Sequence, residues 1–284
     1  FFIAPLMTST LHTIREVESK WINKLLFYNQ SQFKNAGIPS HNHWHHLRVW
    51  HYIRELIESL NKRGITYSMD ETEGLIIAAF FHDIAMHRTF DEVHGKWGAE
   101  QCRGYFSGDP ASPPRCFVQV LEAIERHDDK RYHNQPGNDG KPGLGALLTS
   151  ADDLDAFGAP GIIRYAEILM LRGFNTSTIP EKVLGNARSR MDHFSKLFAP
   201  DRYMVQKHQK RHGRLKSFFQ AILDATDQGK ANRAILDRIR ENLNNAGKPD
   251  KLTQLLEPAD SPALNMLHQE TVDELKAFDN PLSK

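Results

Sequence analysis

Two ligand-type side chains stand side by side at the end of an apolar run. His82 and Asp83 follow Ala78-Ala79-Phe80-Phe81 and precede Ile84. Burying an imidazole and a carboxylate among such neighbours costs free energy unless a partner offsets it. A divalent metal is the simplest partner, because it accepts the nitrogen and the oxygen directly and its charge offsets the desolvation. A buried His–Asp hydrogen bond at a helix end is the alternative, so a metal site requires further ligands elsewhere.

Two further ligand-type residues fall on predicted buried helix faces. His45 precedes Val49 by one helical turn and continues the apolar stripe of its helix. A histidine in such a first turn is either a ligand or a core residue. Asp152 follows Leu148 by one turn in another apolar helix, and a carboxylate inside such a stripe requires a cation. Together with His82-Asp83, these residues complete a candidate set of four ligands.

Two imidazoles and two carboxylates form a mixed nitrogen and oxygen ligand set. Such a set suits Mn, Fe, Co, Ni or Zn, and suits Mg less well. A divalent ion with an open position would activate a water molecule as a nucleophile near neutral pH. Histidine is also concentrated in this part of the chain, where ten of the 15 histidines lie between His41 and His133. This concentration favours a metal or acid–base site.

The candidate ligands must be positioned by helices, which the apolar periodicity of the sequence predicts. Asp70 and Glu73 are arranged as a capping box for the apolar helix that ends at His82-Asp83. Four more helices are predicted from Pro180 onward, and no segment shows the alternation of a strand. A glycine-rich phosphate loop and sequence repeats are also missing. The sequence therefore predicts an all-α fold.

Composition narrows the class of protein. The chain has 284 residues and a net charge of +1, which gives no strong signal for nucleic-acid or membrane binding. No apolar run approaches the length of a transmembrane helix. Cys102 and Cys116 fit no metal-binding spacing, so we expect reduced thiols in a cytoplasmic protein. We also expect Met7 to be the native start and residues 1–6 to be a non-native extension.

Three segments, in this order, resemble the HD superfamily of metal-dependent phosphohydrolases. The segments are His45-x-x-Arg48-Val49, His82-Asp83-Ile84 and Ala151-Asp152-x-Leu154. The resemblance covers about residues 39–165, and residues 151–164 look like a bacterial branch of small HD hydrolases. It implies an HD-domain helical bundle over residues 7–230, with additional C-terminal helices over 231–284. It also implies four metal ligands: His45, His82, Asp83 and Asp152.

The resemblance implies hydrolysis of a small phosphate ester, with a nucleotide as the expected substrate, by metal-activated water. Asp83 would hold the ion and balance its charge. His41-Asn42-x-x-His45 also resembles a motif of cyclic-nucleotide phosphodiesterases, in which the first histidine donates a proton to the leaving oxygen. His41 is therefore a candidate general acid, unless it only orients a neighbour. His94 is the other candidate.

The remaining candidates concern the substrate. His94 and His127 are expected to contact substrate or to lie behind the ligands, although some HD proteins hold a second metal with added histidines. Phosphate also attracts cations, and a guanidinium matches it with two hydrogen bonds. A basic rim is predicted from the cationic residues near the ligand segments: Arg48, Lys96, Lys130, Arg131 and Arg164. His43, His46, His51 and His87 are expected at the surface or behind the ligands.

Two other functions are also compatible with the sequence. One is an HD-fold di-iron oxygenase, which requires extra histidine ligands. His94 and His127 are available for that role, but their spacing matches poorly. The other is a non-catalytic, nucleotide-binding HD module, which has no need of all four ligands. A homodimer is compatible with the sequence.

Overall fold

All regular secondary structure in the described part of the chain is helical. The computed structural model describes residues 3–91, 93–108, 112–129, 140–245 and 249–278. This confirms the all-α prediction. None of the described helices has both the length and the apolar character needed to cross a membrane. Lys130 and Arg131 lie outside the described residues.

Eleven α-helices follow one another in the described part of the chain. They are α1 (Ile3–Phe33), α2 (His43–Asn61), α3 (Met69–Phe81), α4 (His94–Gly108), α5 (Phe117–Glu125), α6 (Leu144–Asp155), α7 (Gly158–Leu171), α8 (Ile179–Leu197), α9 (Arg202–Leu223), α10 (Asp227–Asn244) and α11 (Pro262–Leu275). Short 3-10 helices occupy Ile84–His87, Leu252–Leu256 and Lys276–Phe278. The chain divides into two compact units, residues 1–34 with 45–152 and residues 35–44 with 153–284. The predicted division at residue 230 remains a prediction.

Helix α3 lies at the centre of the first unit. All of its residues from Thr72 to Phe81 are buried, and α1, α4 and α5 pack against it. Asn29 of α1 donates a hydrogen bond of 2.9 Å to the carbonyl of Phe80 in the last turn of α3. An apolar helix with polar groups only at its ends gives a rigid support for whatever follows it. His82 and Asp83 are the residues that follow.

The start of α3 differs from the capping box expected at Asp70. Ser68 is the N-cap, and its side chain and that of Glu71 form the capping box. The Asp70 carboxylate instead accepts from the backbone N–H groups of Arg115 and Cys116, at 2.6 and 2.9 Å. Those amides precede α5, so Asp70 ties the start of α5 to α3. A long-range acceptor role of this kind leaves no local sequence pattern.

Helix α4 approaches the end of α3 through glycine. A Cβ atom added to Gly98 would lie 2.6 Å from the carbonyl oxygen of Phe81 and 3.1 Å from that of His82. Gly95, one turn earlier, would place a Cβ 2.7 Å from the carbonyl oxygen of Glu125. These contacts leave no space for a side chain. Gly98 therefore lets α4 lie close to the His82-Asp83 segment, and Gly95 lets it lie close to the end of α5.

In the second unit, side chains from α9 and α11 hold the turn between α6 and α7. Glu274 accepts from the backbone N–H of Ala159 at 2.8 Å and from Arg211 Nε at 3.0 Å. Arg211 also donates to the carbonyl oxygens of Leu154 and Phe157, at 2.8 and 2.9 Å. Gly158, the first residue of α7, has a φ of +77°, a conformation that other residues adopt only with strain. This turn follows the helix that carries Asp152.

The close approach at Gly98 gives a stability prediction. Gly98→Ala should lower the free energy of unfolding by about 1–3 kcal/mol, because the added methyl group overpacks against backbone atoms. Gly104→Ala is the matched control in the same helix, since a Cβ there meets nothing within 4 Å. It should raise the free energy of unfolding by about 0.5–1 kcal/mol through its better helix propensity. Urea unfolding followed by circular dichroism measures both, and equal changes in the two variants would contradict the prediction.

Candidate metal centre

The four predicted ligands come together in the first unit. His45 lies in the first turn of α2, His82 and Asp83 follow α3, and Asp152 lies near the end of α6. All four are buried, and one ligand atom from each lies within 4.8 Å of the others. His45 Nε2 lies 3.1 Å from His82 Nε2, 3.3 Å from Asp83 Oδ2 and 3.6 Å from Asp152 Oδ1. We refer to these four residues as the first ligand group.

The donor set fits a divalent ion. The backbone carbonyl of Ala79 accepts from His82 Nδ1 at 2.9 Å, which leaves His82 Nε2 with a lone pair directed at the group. Burial lowers the pKa of His82 to about 4, so this ring is neutral at pH 7. A single hydrogen on His45 Nε2 can satisfy only one of the three acceptors around it. A cation between the four residues would satisfy all of them.

A second histidine lies behind His82. His46 is fully buried, and its Nδ1 donates to the same Ala79 carbonyl at 3.0 Å. The centroids of the His46 and His82 rings are 5.1 Å apart, in an edge-to-face arrangement. His46 therefore lies behind the ligands, which is one of the two positions expected for it. The shared carbonyl fixes the orientation of both rings.

Asp83 connects the first ligand group to two more histidines. Its Oδ2 faces His45, whereas its Oδ1 lies 3.2 Å from His94 Nε2 and 3.1 Å from His127 Nε2. Burial alone would raise the pKa of Asp83. The imidazoles of His82, His127, His45 and His94 outweigh that effect and hold the pKa well below its usual value. Asp83 is therefore an ionised carboxylate enclosed by four imidazole rings.

Asp83, His94 and His127 form a second group that could hold a metal ion. His94 Nδ1 donates to the carbonyl of Asp91 at 2.7 Å, and His127 Nδ1 donates to that of Ile124 at 2.8 Å. Both Nε2 atoms therefore point at Asp83 and lie 3.2 Å from each other. Substrate contact, the role expected for these histidines, stays a prediction. The same geometry is also compatible with the alternative, a second metal ion bound by His94, His127 and Asp83.

Asp128 is a residue of this region that sequence reasoning missed. Its Oδ2 lies 3.2 Å from His94 Nε2 and 3.9 Å from His127 Nε2, and its side chain is 48% exposed. Burial disfavours a charged His94, but the carboxylates of Asp128 and Asp83 outweigh this and raise the pKa of His94 to about 11. The signal that could have revealed Asp128 is the second His-Asp dipeptide of the chain, His127-Asp128.

Two other predicted site residues, His41 and Arg164, meet in the second unit. His41 Nδ1 lies 2.6 Å from Ser40 Oγ, and an Arg164 Nη atom lies 3.4 Å from His41 Nε2. The other Arg164 Nη atom donates to Asp155 at 2.7 Å, and both side chains of this ion pair are buried. The His41 ring is thus contacted by Ser40 at one nitrogen and by Arg164 at the other. Its role as general acid stays a prediction.

The basic rim is only partly at the surface. Lys96 is exposed on α4, two residues after His94. Arg48 is buried, and the guanidinium of Arg164 is engaged by Asp155. Burial of Arg48 follows from its place among core residues of α2, which its charge alone does not reveal. Among the described members of the rim, Lys96 is therefore the residue whose side chain faces solvent.

Residues 44–157 match the family model described as HD domain. The chain contains an HD domain. HD domains bind divalent metals and form a superfamily of metal-dependent phosphohydrolases, which confirms the family predicted from the sequence. The matched span includes every member of both ligand groups. No curated protein and no solved structure gives a significant match to the chain.

Metal binding to the HD domain should stabilise the fold. In chelator-treated protein, added Mn²⁺ should raise the Tm, because the first ligand group exists only in the folded state. At a free concentration of one hundred times Kd the gain is about 2.7 kcal/mol. His82→Ala should reduce this gain, whereas His12→Ala, at a side chain that is 71% exposed, should retain it. An equal Tm increase in both variants, measured by differential scanning fluorimetry, would exclude His82 as a ligand.

Proposed function

We propose that the chain is a phosphohydrolase that acts on a small phosphate ester, with a nucleotide as the favoured substrate. The observation that carries the proposal is the first ligand group, a buried pair of imidazoles and a pair of carboxylates inside an HD domain. Buried charges are retained in proteins when they are paired or bind a metal. A site of this composition is suited to hydrolysis of phosphate esters.

Each residue of the first ligand group has a defined role in this proposal. His45 and His82 supply nitrogen ligands, and Asp83 and Asp152 supply oxygen ligands and negative charge. When bound, the divalent ion would supply Lewis-acid chemistry that activates water and offsets phosphate charge. The Ala79 carbonyl holds His82 in the tautomer that exposes Nε2. These contacts fix the ligands before substrate arrives, which lowers the cost of reorganisation.

Protonation of the leaving group is assigned to His41 or His94. His94 lies next to Asp83, and the carboxylates around it favour its protonated form. Lys96, exposed in the same helix, is proposed to attract the substrate phosphate. His127, Lys130, Arg131 and Arg164 remain predicted substrate contacts.

A phosphate-release screen tests the proposed hydrolysis. Metal-loaded protein should release phosphate or pyrophosphate from a panel of nucleotides and phosphomonoesters. Asp152→Ala should lower kcat/KM at least about 100-fold, because removing even a group that supports a ligand costs about 10–100-fold. Asp227→Ala, at a side chain that is 98% exposed, is the control and should keep full activity.

Failure of this screen would favour a different function. If the metal-loaded protein hydrolyses no member of the panel, and His82→Ala leaves nucleotide binding unchanged, the chain is a binding module. The fold of each variant is verified by its circular dichroism spectrum. Loss of metal from Asp152→Ala together with retained hydrolysis would also contradict the assignment of the active site.

The second ligand group favours one alternative, a di-iron oxygenase. Asp83, His94 and His127 supply the extra histidines that such chemistry requires, and they adjoin the first group through Asp83. Iron analysis and an oxygen electrode decide between the two functions. Two irons per chain together with substrate-dependent consumption of O₂ would replace the hydrolase proposal.

A further inference from the structure

We propose that Asp128 is the fourth ligand of a second cation site, together with Asp83, His94 and His127, and that its carboxylate sets the affinity of that site. Asp128 lies in the second His-Asp dipeptide of the chain and was not among the residues predicted from the sequence. The first ligand group serves as the reference for this site, and the proposal holds whichever reaction the chain catalyses. An ion bound by the Nε2 atoms of His94 and His127 would leave His41 as the proposed proton donor and would replace the substrate contact proposed for His127.

The two sites would have the same composition. The first ligand group contains two imidazole Nε2 atoms and two carboxylates. With Asp128 included, the second group also contains two imidazole Nε2 atoms and two carboxylates. Asp83 belongs to both, because its Oδ2 faces the first group and its Oδ1 faces the second. Without Asp128, the second group would have only one shared carboxylate.

Charge balance explains why a second ion would need Asp128. Two divalent ions that share one carboxylate lie about 3.5–4 Å apart and repel each other strongly. Asp83 and Asp152 alone would leave such a pair with a net charge of about +2. The Asp128 carboxylate lies on the side of His94 and His127, where the second ion would lie. Its negative charge reduces the repulsion at that position.

A hydrogen-bonded turn of the backbone holds Asp128 in this position. Residues 126–128 follow α5, and the N–H of Asp129 donates to the carbonyl of Arg126 at 2.9 Å. Thr149 of α6 donates from its hydroxyl to the carbonyl of His127 at 2.8 Å, next to the peptide that leads to Asp128. The turn is therefore tied to the same helix that carries Asp152. Asp128 reaches His94 from a fixed backbone.

Exposure distinguishes the two sites. The side chains of Asp83, His94 and His127 are 8%, 3% and 2% exposed, whereas that of Asp128 is 48% exposed. Asp128 is thus the solvent-facing member of the second group. An ion in the second site would exchange with solvent past the exposed Asp128 side chain. The first ligand group, in contrast, has only buried members.

Metal titration of the intact chain tests the role of Asp128. Chelator-treated protein is titrated with Mn²⁺ in a calorimeter, and electron paramagnetic resonance reports whether two Mn²⁺ ions are spin-coupled. Four variants are compared with the unmodified chain: Asp128→Asn, Asp128→Glu, Asp129→Asn and Asp152→Asn. Asp129→Asn removes the same charge from the adjacent residue, and Asp128→Glu restores a carboxylate.

The expected result is two ions per chain with a spin-coupled signal. Asp128→Asn should raise the Kd of the second ion at least about tenfold. Mutation of a residue that only hydrogen-bonds to a metal ligand already lowers metal affinity by about that factor. Asp128→Asn should also abolish the coupled signal and leave the first ion bound. Asp128→Glu should recover the second ion in part, and Asp129→Asn should bind both.

Three results would overturn the proposal. The first is an unchanged second Kd in Asp128→Asn, and the second is an equal loss in Asp129→Asn. The third is a chain that binds a single ion, which Asp152→Asn removes. That last result would assign Asp128 to an ion pair with protonated His94, and it would leave the proposed hydrolysis at the first ligand group intact.

Discussion

The buried carboxylate of Asp83 is the group on which the rest of the first unit depends. Enclosed by imidazoles and nearly inaccessible to solvent, it stays ionised only because each of its oxygens faces a pair of ring nitrogens. An isolated carboxylate in such a place would take up a proton. The surrounding helices are arranged so that four histidines from separate segments reach this one residue.

The helix that ends just before Asp83 explains how this arrangement is held. Helix α3 is buried over most of its length, and its last turn offers the Ala79 carbonyl to two imidazole rings. Gly98 lets α4 approach the carbonyl groups of Phe81 and His82. His94 is carried by that same helix. The positions of these histidines thus depend on two features of the backbone: the Ala79 carbonyl, which binds two imidazole side chains, and Gly98, which has no side chain.

The sequence was sufficient to predict the fold class and the four residues of the first ligand group. Apolar periodicity places His45 and Asp152 on buried faces, and burial of a polar group is informative because it is costly. The HD match confirms the predicted family, and the structure brings the four residues together; their role as ligands stays a prediction. Periodicity carries no such information for Asp128, which lies half exposed in a turn. It also could not show that Arg164 pairs with Asp155, or that the Asp70 carboxylate accepts from the backbone amides of Arg115 and Cys116, because those contacts join separate segments of the chain.

The contacts of Glu274 have a consequence for the order in which the protein is completed during synthesis. Helix α6 and the turn after it leave the ribosome long before residue 274 does. Until then, the N–H of Ala159 and the guanidinium of Arg211 have no carboxylate from α11 to bind. The contacts of this turn with Glu274 therefore form only after α11 has been synthesised, whereas the bonds from Arg211 to Leu154 and Phe157 need no residue beyond Arg211. A nascent chain holds every residue of the first ligand group before it holds the side chain that locks this turn.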